Sequence, residues 1–130
     1  MFSHVALGVA DVPAARELYD AILEPLGVNL KFSGDGFSGY GPKGSPEPMF
    51  WLLPFNDKEA RAGNGTNGAF FAPNRAVVDE FHHLAMSAGA TDEGAPGLRQ
   101  HYREHYYRAY VRDRVGNKPQ AVCHSPESPT

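Results

Sequence analysis

The chain has 130 residues, of which 42% are hydrophobic and 21% are charged, and its formal net charge at pH 7 is -3. These values are typical of one folded domain and argue against a disordered chain, and the slight acidity gives no drive toward nucleic acid or an anionic membrane. We expect no membrane span and no secretory signal, because no apolar run is long enough and the start Met1-Phe2-Ser3-His4 is neither basic nor followed by an apolar stretch. The single cysteine, Cys123, cannot form an internal disulfide, so the expected location is the reducing cytoplasm.

The first half of the chain predicts one strand, one helix and three further strands. Residues 3–9 alternate in character, which places His4 on the polar face of the first strand, opposite Val5, Leu7 and Val9. Asp11 is a good helix N-cap, and apolar residues then recur at helical spacing until Gly27. β-rich runs follow at residues 29–33, 37–40 and 49–53, divided by turns that contain Gly and Pro.

The second half repeats the order from Asn67. Residues 67–72 predict a strand, Asn74 caps a helix that Gly89 ends, and residues 105–112 and 118–124 predict two strands joined by a tight turn. Self-similarity of this kind indicates two copies of one βαβββ module, in which Asn67 takes the place that His4 has in the first copy. The single domain over residues 1–130 then divides into module one (1–54), a linker (55–66), module two (67–125) and a tail (126–130).

The chain resembles the vicinal oxygen chelate superfamily, which includes glyoxalase I, bleomycin-resistance proteins, fosfomycin-resistance enzymes and extradiol dioxygenases. Three features carry the resemblance: the double βαβββ order with His4 at its start, the helix sequence Asp-Val-Pro-Ala-Ala-Arg-Glu-Leu-Tyr, and the closing Arg-Asp-Arg-Val-Gly-Asn-Lys-Pro-Gln-Ala-Val. It implies an α+β fold in which two βαβββ modules form an open, cup-shaped mixed sheet with the helices outside. It also implies a metal position in the cup, formed here by His4, Asn67 and Gln120.

The residues at these positions alter the expected chemistry. Family members usually have His, His and Glu there, whereas this chain keeps His4 and has amides at Asn67 and Gln120. Amides offer only neutral carbonyl oxygens, and Gln120 brings neither a negative charge nor a basic site. We therefore expect a degenerate metal site with no tightly bound cofactor and at most a weakly bound divalent metal. His101, Tyr102 and His105 are candidate substitute ligands, whereas His124 lies four strand residues from Gln120, about 13 Å away.

Further residues are candidates for a ligand-binding cup wall: Trp51, Phe71, His101, Tyr102, His105 and Tyr107. Trp51 belongs to an apolar run that first of all predicts a core strand. In the segment 97–114, rich in Arg and Tyr, alternation places Tyr106, Arg108, Tyr110 and Arg112 on one strand face and His105, Tyr107, Ala109 and Val111 on the other. We expect the arginine-bearing face to meet solvent or an interface.

Three functions remain open at this level. The leading one is a glyoxalase/bleomycin-resistance-like protein that binds a small organic molecule in a cup with a degenerate metal site. The second is a metal-dependent lyase or dioxygenase with substitute ligands, and the third is a structural or interaction module that has lost the pocket. We expect a small-molecule ligand, no nucleic-acid or membrane partner, and a homodimer, because two such modules leave sheet edges exposed.

Overall fold

The computed structural model of the chain describes residues 1–34, 36–55 and 67–127. The first module contains five elements: strand Val5–Val9 (β1), helix Val12–Leu23 (α1) extended by a 3₁₀ turn Glu24–Leu26, and strands Val28–Gly34 (β2), Phe37–Pro42 (β3) and Phe50–Pro54 (β4). The second contains strand Asn67–Phe71 (β5), helix Arg75–Ser87 (α2), and strands Thr91–Leu98 (β6), Tyr107–Arg112 (β7) and Lys118–Cys123 (β8). The predicted α+β fold of two βαβββ modules is thus confirmed. Of the predicted linker 55–66 only Phe55 is described, and residues 128–130 of the predicted tail also lie outside the described residues.

Each module forms its own open sheet of four strands, and the two sheets have the same topology. The strand orders are β1-β4-β3-β2 and β5-β8-β7-β6. The first strand of each module pairs in parallel with the last, and the remaining neighbours are antiparallel. Each sheet therefore has the module's opening strand at one edge, which places His4 and Asn67 at equivalent edges.

Strand β6 has no counterpart among the predicted strands. Its sequence, Thr-Asp-Glu-Gly-Ala-Pro-Gly-Leu, lacks alternation and contains residues that are rare in strands. It pairs antiparallel with β7 at the sheet edge, and its register shifts twice, between Asp92 and Gly94 and between Gly94 and Gly97. An edge strand needs ladder hydrogen bonds on one side only, so tertiary pairing overrides the unfavourable composition.

Both helices begin at the predicted caps. The carboxylate of Asp11 accepts a hydrogen bond from the amide of Ala14 at 3.0 Å, and the side chain of Asn74 accepts one from the amide of Val77 at 3.0 Å. Each cap satisfies a backbone donor that the first helical turn leaves free. The two helices pack against each other and against the sheets, and no helix of the described residues is long and apolar enough to cross a membrane.

The two modules share one core. Phe50 of β4 contacts Phe70 of β5 edge to face, with ring centroids 5.1 Å apart, and also lies beside the fully buried Tyr19 of α1. Because Phe50 and Phe70 belong to different sheets, this contact joins the apolar faces of both modules.

A buried polar clasp also joins the modules at the turn between β7 and β8. Asp113 accepts hydrogen bonds from the hydroxyl of Tyr19 (2.8 Å), the amides of Val115 (3.1 Å) and Asn117 (2.8 Å), and the side-chain amide of Asn117 (3.0 Å). The same side-chain nitrogen of Asn117 donates to the carbonyl of Gly8 in β1 at 2.7 Å. The closing sequence Asp-Arg-Val-Gly-Asn therefore fixes module two to α1 and β1 of module one.

Candidate functional site

Each sheet has one face covered by its helix and one helix-free face, and the candidate residues are distributed between them. In β8, Ala121 and Cys123 belong to the core shared with the helices, so Gln120 lies on the opposite side of the strand. Register pairs Gln120 with Tyr110, and Val122 with Arg108. We call this surface the helix-free face of module two. It includes Asn67, Phe71, Tyr106, Arg108, Tyr110, Lys118, Gln120 and His124.

Asn67 and Gln120 contact each other directly on this face. The side-chain nitrogen of Gln120 donates a hydrogen bond to the side-chain oxygen of Asn67 at 2.9 Å. Gln120 is only 5% exposed, and its Oε1 is buried without a hydrogen-bond partner among the described residues. Because a buried acceptor without a partner costs about 1–3 kcal/mol, this oxygen marks a place where a donor is missing.

His4 lies on the other sheet. It precedes β1 by one residue, is exposed, and its Nδ1 lies 2.9 Å from the hydroxyl of Ser3. Within the described part of the chain, no hydrogen bond joins His4 to Asn67 or Gln120. The structure thus joins by a hydrogen bond two of the three residues that the resemblance assigns to the metal position.

These residues do not fit a transition metal. The oxygen of Asn67 already accepts from Gln120, so the pair is arranged as a mutual amide hydrogen bond rather than as two carbonyl ligands. Across the described ranges, no three His, Cys, Asp or Glu side chains converge in a way that could hold a metal ion. Of the proposed substitute ligands, His101 and Tyr102 lie beside each other with tilted rings, and the partly exposed His105 lies 3.9 Å from Glu104.

The arginine-bearing face was expected to meet solvent or an interface, and burial of Arg108 within the chain argues against the solvent alternative. Arg108 is only 6% exposed, and its guanidinium lies over the ring of Tyr110, 3.9 Å from the ring centroid. The backbone of Gly94 in β6 provides the space, because a Cβ at that position would overlap Nη1 of Arg108. Burial lowers the pKa of Arg108, and the positive charge of Arg99 lowers it further.

A row of aromatic rings borders these polar residues. Ring centroids are 5.7 Å apart for Phe71 and His124, 5.3 Å for His124 and Tyr106, 5.2 Å for Tyr106 and Tyr102, and 4.2 Å for Tyr102 and His101. Phe71 and Tyr102 are 69% and 58% exposed, so parts of the row are open to a ligand. Sequence reasoning proposed Phe71, His101 and Tyr102 but missed Tyr106 and His124, although strand alternation from Gln120 places His124 on the same face.

The other predicted wall residues lie elsewhere. Trp51 is on the helix-free face of module one, where it packs over Gly39 and its ring centroid lies 6.0 Å from that of Phe32 and 5.9 Å from that of Phe37. Tyr107 points the opposite way from Arg108: its hydroxyl donates to Asp79 of α2, and burial followed by this hydrogen bond raises its pKa to about 12. The placement of Tyr107 in the ligand wall is therefore corrected, since its ring lies under α2.

A separate cavity of about 270 Å³ lies at the junction of the modules. It is lined by the start of α1, the end of α2 and the β7–β8 turn, including Ala15, Gly89 and Val115. None of the candidate site residues lines it, and its wall is mainly apolar. The chemistry therefore concentrates on the helix-free face of module two rather than in this cavity.

Comparison with known proteins shows substantial sequence similarity to a solved structure. A crystal structure of a glyoxalase/bleomycin resistance protein from Albidiferax ferrireducens T118 is 35% identical, covers 96% of this chain and 99% of its own, and superimposes with a TM-score of 0.82. No protein-family model and no curated protein matches the chain.

More distant structures share the fold. A glyoxalase/bleomycin resistance protein/dioxygenase family enzyme from Burkholderia phytofirmans PsJN is 18% identical, covers 95% of this chain and 98% of its own, and has a TM-score of 0.71. The fosfomycin resistance protein FosX from Mesorhizobium loti is 11% identical, covers 96% and 92% respectively, and has a TM-score of 0.69. At these identities the similarity concerns the fold alone.

Proposed function

Because this chain belongs to the glyoxalase/bleomycin resistance family of the vicinal oxygen chelate superfamily, we propose that it binds a small organic molecule on the helix-free face of module two. One observation carries the proposal: Gln120 is only 5% exposed, yet its Oε1 has no partner among the described residues. A ligand that displaces the side chains covering this oxygen could donate an N–H or O–H group to it and remove the cost of leaving it unpaired.

The surrounding residues favour a flat ligand with polar substituents. Asn67 holds the Gln120 amide in one orientation through their 2.9 Å hydrogen bond, so the direction in which the buried Oε1 points is fixed. The exposed rings of Phe71 and Tyr102 offer apolar surface beside it. Aromatic contact area with a few oriented polar groups is the usual composition of a small-molecule site.

In this proposal the family metal positions have changed from metal ligation to polar recognition. His4, Asn67 and Gln120 together supply one imidazole and two neutral amides, which is a weak donor set for Zn²⁺, Ni²⁺ or Mn²⁺. The function is therefore binding or sequestration, and any catalysis proceeds without a metal step. Relatives named for bleomycin and fosfomycin resistance make antibiotics the first compounds to test.

Ligand-induced thermal stabilisation tests the proposal directly. A panel of antibiotics and planar polar metabolites is screened against the wild-type protein, and a ligand present at a hundred times its Kd is expected to raise Tm by roughly 10 °C. Gln120→Leu should abolish the shift, whereas Gln100→Leu, at an exposed glutamine of the loop before β7, should retain it. Absence of any hit, or a hit that survives Gln120→Leu unchanged, would count against the proposed site.

We also propose that the protein is a homodimer. Large exposed apolar side chains concentrate in module one: Met1, Phe2, Val5, Phe32, Phe37, Met49 and Leu53. Exposed apolar side chains beside unpaired sheet edges are typical of an association surface, and two of these, Phe32 and Phe37, stack on each other. Light scattering should report twice the monomer mass of 14.2 kDa at micromolar concentration, and Phe37→Lys should shift the protein toward the monomer. A wild-type protein of monomer mass would contradict the proposal.

A further inference from the structure

Arg108 is a buried cation for which the described residues provide no counter-ion. Its Nε and Nη1 are buried without a hydrogen-bond partner, and no carboxylate of the described residues forms an ion pair with it. Arg112 lies four residues after Arg108 on the same face of β7 and is the natural comparison. Its Nε lies 2.9 Å from Glu93, and its Nη1 donates to the carbonyl of Gly116 at 2.7 Å. The two arginines share a strand and a direction, but only Arg112 is neutralised.

The protein holds Arg108 in place despite this missing charge. The guanidinium lies between the ring of Tyr110 and the backbone of Gly94, where any larger residue would overlap it. Stacking on a tyrosine and contact with a glycine fix its position but supply no negative charge. A buried charge without a partner is costly, and the effect of burial on its pKa reflects the same desolvation.

Further positive charge lies around this position. Arg99 is close enough to lower the pKa of Arg108, and Nζ of Lys118 lies 5.1 Å from the centroid of the Tyr110 ring. Like charges that face one protected surface create a positive potential that a bound anion would neutralise. Because Nε and Nη1 are buried and only 6% of Arg108 is exposed, such an anion must contact Nη2 or displace the side chains that cover the other two nitrogens.

We infer that Arg108, seated on Tyr110 and Gly94, forms an anion subsite, so that the small molecule bound on this face carries a carboxylate or a phosphate group. The inference rests on the proposed function, because Arg108 shares its face with Gln120: Arg108 pairs in register with Val122, and Tyr110 with Gln120. Gln120 then recognises a polar donor of the ligand, the aromatic row contacts its flat part, and Arg108 compensates its charge.

Three small probes with the same aromatic ring distinguish the contribution of a negative charge to binding from that of the ring. Benzoate, phenyl phosphate and neutral benzamide are titrated against the wild-type protein by calorimetry and thermal shift. At least one of the two anions is expected to bind about tenfold or more tightly than benzamide, since a charge-assisted hydrogen bond exceeds a neutral one by about that factor. The comparison of benzoate with phenyl phosphate identifies which oxyanion the site prefers.

Variants assign the preference to Arg108. Arg108→Gln should reduce the preference for the anion to near unity, Arg108→Lys should retain part of it, and the matched control Arg112→Gln should leave it unchanged, because Arg112 is already paired with Glu93. Arg108→Lys keeps the test valid if Arg108→Gln does not fold. Equal affinity for anions and benzamide, no anion binding at millimolar concentration, or a preference that survives Arg108→Gln would overturn the inference. If Gln120→Leu still abolishes binding of benzamide or of a neutral screening hit in those cases, the proposed function stands and only the anion subsite fails.

Discussion

Removing the hydroxyl of Tyr19 should measure how strongly the polar clasp holds the two modules together. Tyr19 is fully buried, and its hydroxyl donates to Oδ2 of Asp113 at 2.8 Å. Tyr19→Phe keeps the ring and its packing against Phe50 but removes this bond to a buried carboxylate. Hydrogen bonds to charged groups contribute about 1.5–3 kcal/mol, and Asp113 keeps its bonds from Val115 and Asn117. We therefore expect a loss of about 1.5–3 kcal/mol, or roughly 5–10 °C in Tm.

The assay is equilibrium unfolding in urea, monitored both by circular dichroism and by fluorescence of Trp51. Tyr19→Phe should lower the midpoint without changing the slope, because the surface exposed on unfolding is the same. Tyr102→Phe is the matched control: Tyr102 is 58% exposed, so its substitution should change stability by less than about 0.5 kcal/mol. Equal midpoints for Tyr19→Phe and Tyr102→Phe would refute the view that the clasp joins the modules energetically.

Three further predictions concern the amide pair, the titration of Tyr19 and the packing of Trp51. Asn67→His combined with Gln120→Glu should raise the affinity for Zn²⁺ or Ni²⁺ measured by calorimetry, because it places an imidazole and a carboxylate on two side chains that already touch. No gain in affinity for a folded double mutant would mean that these are not the family metal positions. Burial raises the pKa of Tyr19 well above its usual value, so the unfolded state should lose the phenol proton first as pH rises above about 10. The free energy of unfolding should then fall by up to about 1.4 kcal/mol per pH unit. The free energy of unfolding of Tyr19→Phe should fall less steeply with pH, and an equal slope would contradict this. Gly39→Ala should displace Trp51, whose ring would lie 2.7 Å from the added Cβ, and so change the fluorescence of Trp51. Gly68→Ala is the control, because the space around Gly68 is open and its substitution should have little effect. Unchanged emission in Gly39→Ala would show that Trp51 does not pack over Gly39.

The features predicted correctly from the sequence are those specified by neighbouring residues. Asp11 and Asn74 cap their helices because a side-chain oxygen three residues before a free amide is a local arrangement. The resemblance then led from the repeat to Asn67 and Gln120, which the structure joins in one hydrogen bond. His4 lies on the sheet of module one, because the repeat makes positions equivalent each within its own module.

What the sequence did not reveal depends on contacts between distant segments. Strand β6 forms at the edge of a sheet despite Gly94, Pro96 and Gly97, because pairing with β7 compensates for its composition. Alternation correctly placed Arg108 and Tyr107 on opposite faces of β7. Alternation does not show which face is covered. The arginine-bearing face was therefore expected to meet solvent or an interface, whereas Arg108 is buried, and Tyr107, which bonds to Asp79 of α2, was expected in the ligand wall.

The location of a bound ligand tests the central claim most directly. In a titration with the best ligand from the thermal screen, NMR of the side-chain amides of Gln120 and Asn67 is compared with the backbone amides of Ala15, Gly89 and Val115, which line the separate cavity between the modules. The largest chemical-shift changes, and saturable ones, are expected for the side-chain amides of Gln120 and Asn67. A ligand bound at Oε1 of Gln120 alters the amide group that donates to Asn67, so the signals of both side chains should shift. Saturable changes confined to Ala15, Gly89 and Val115, with Gln120 and Asn67 unaffected, would contradict the account.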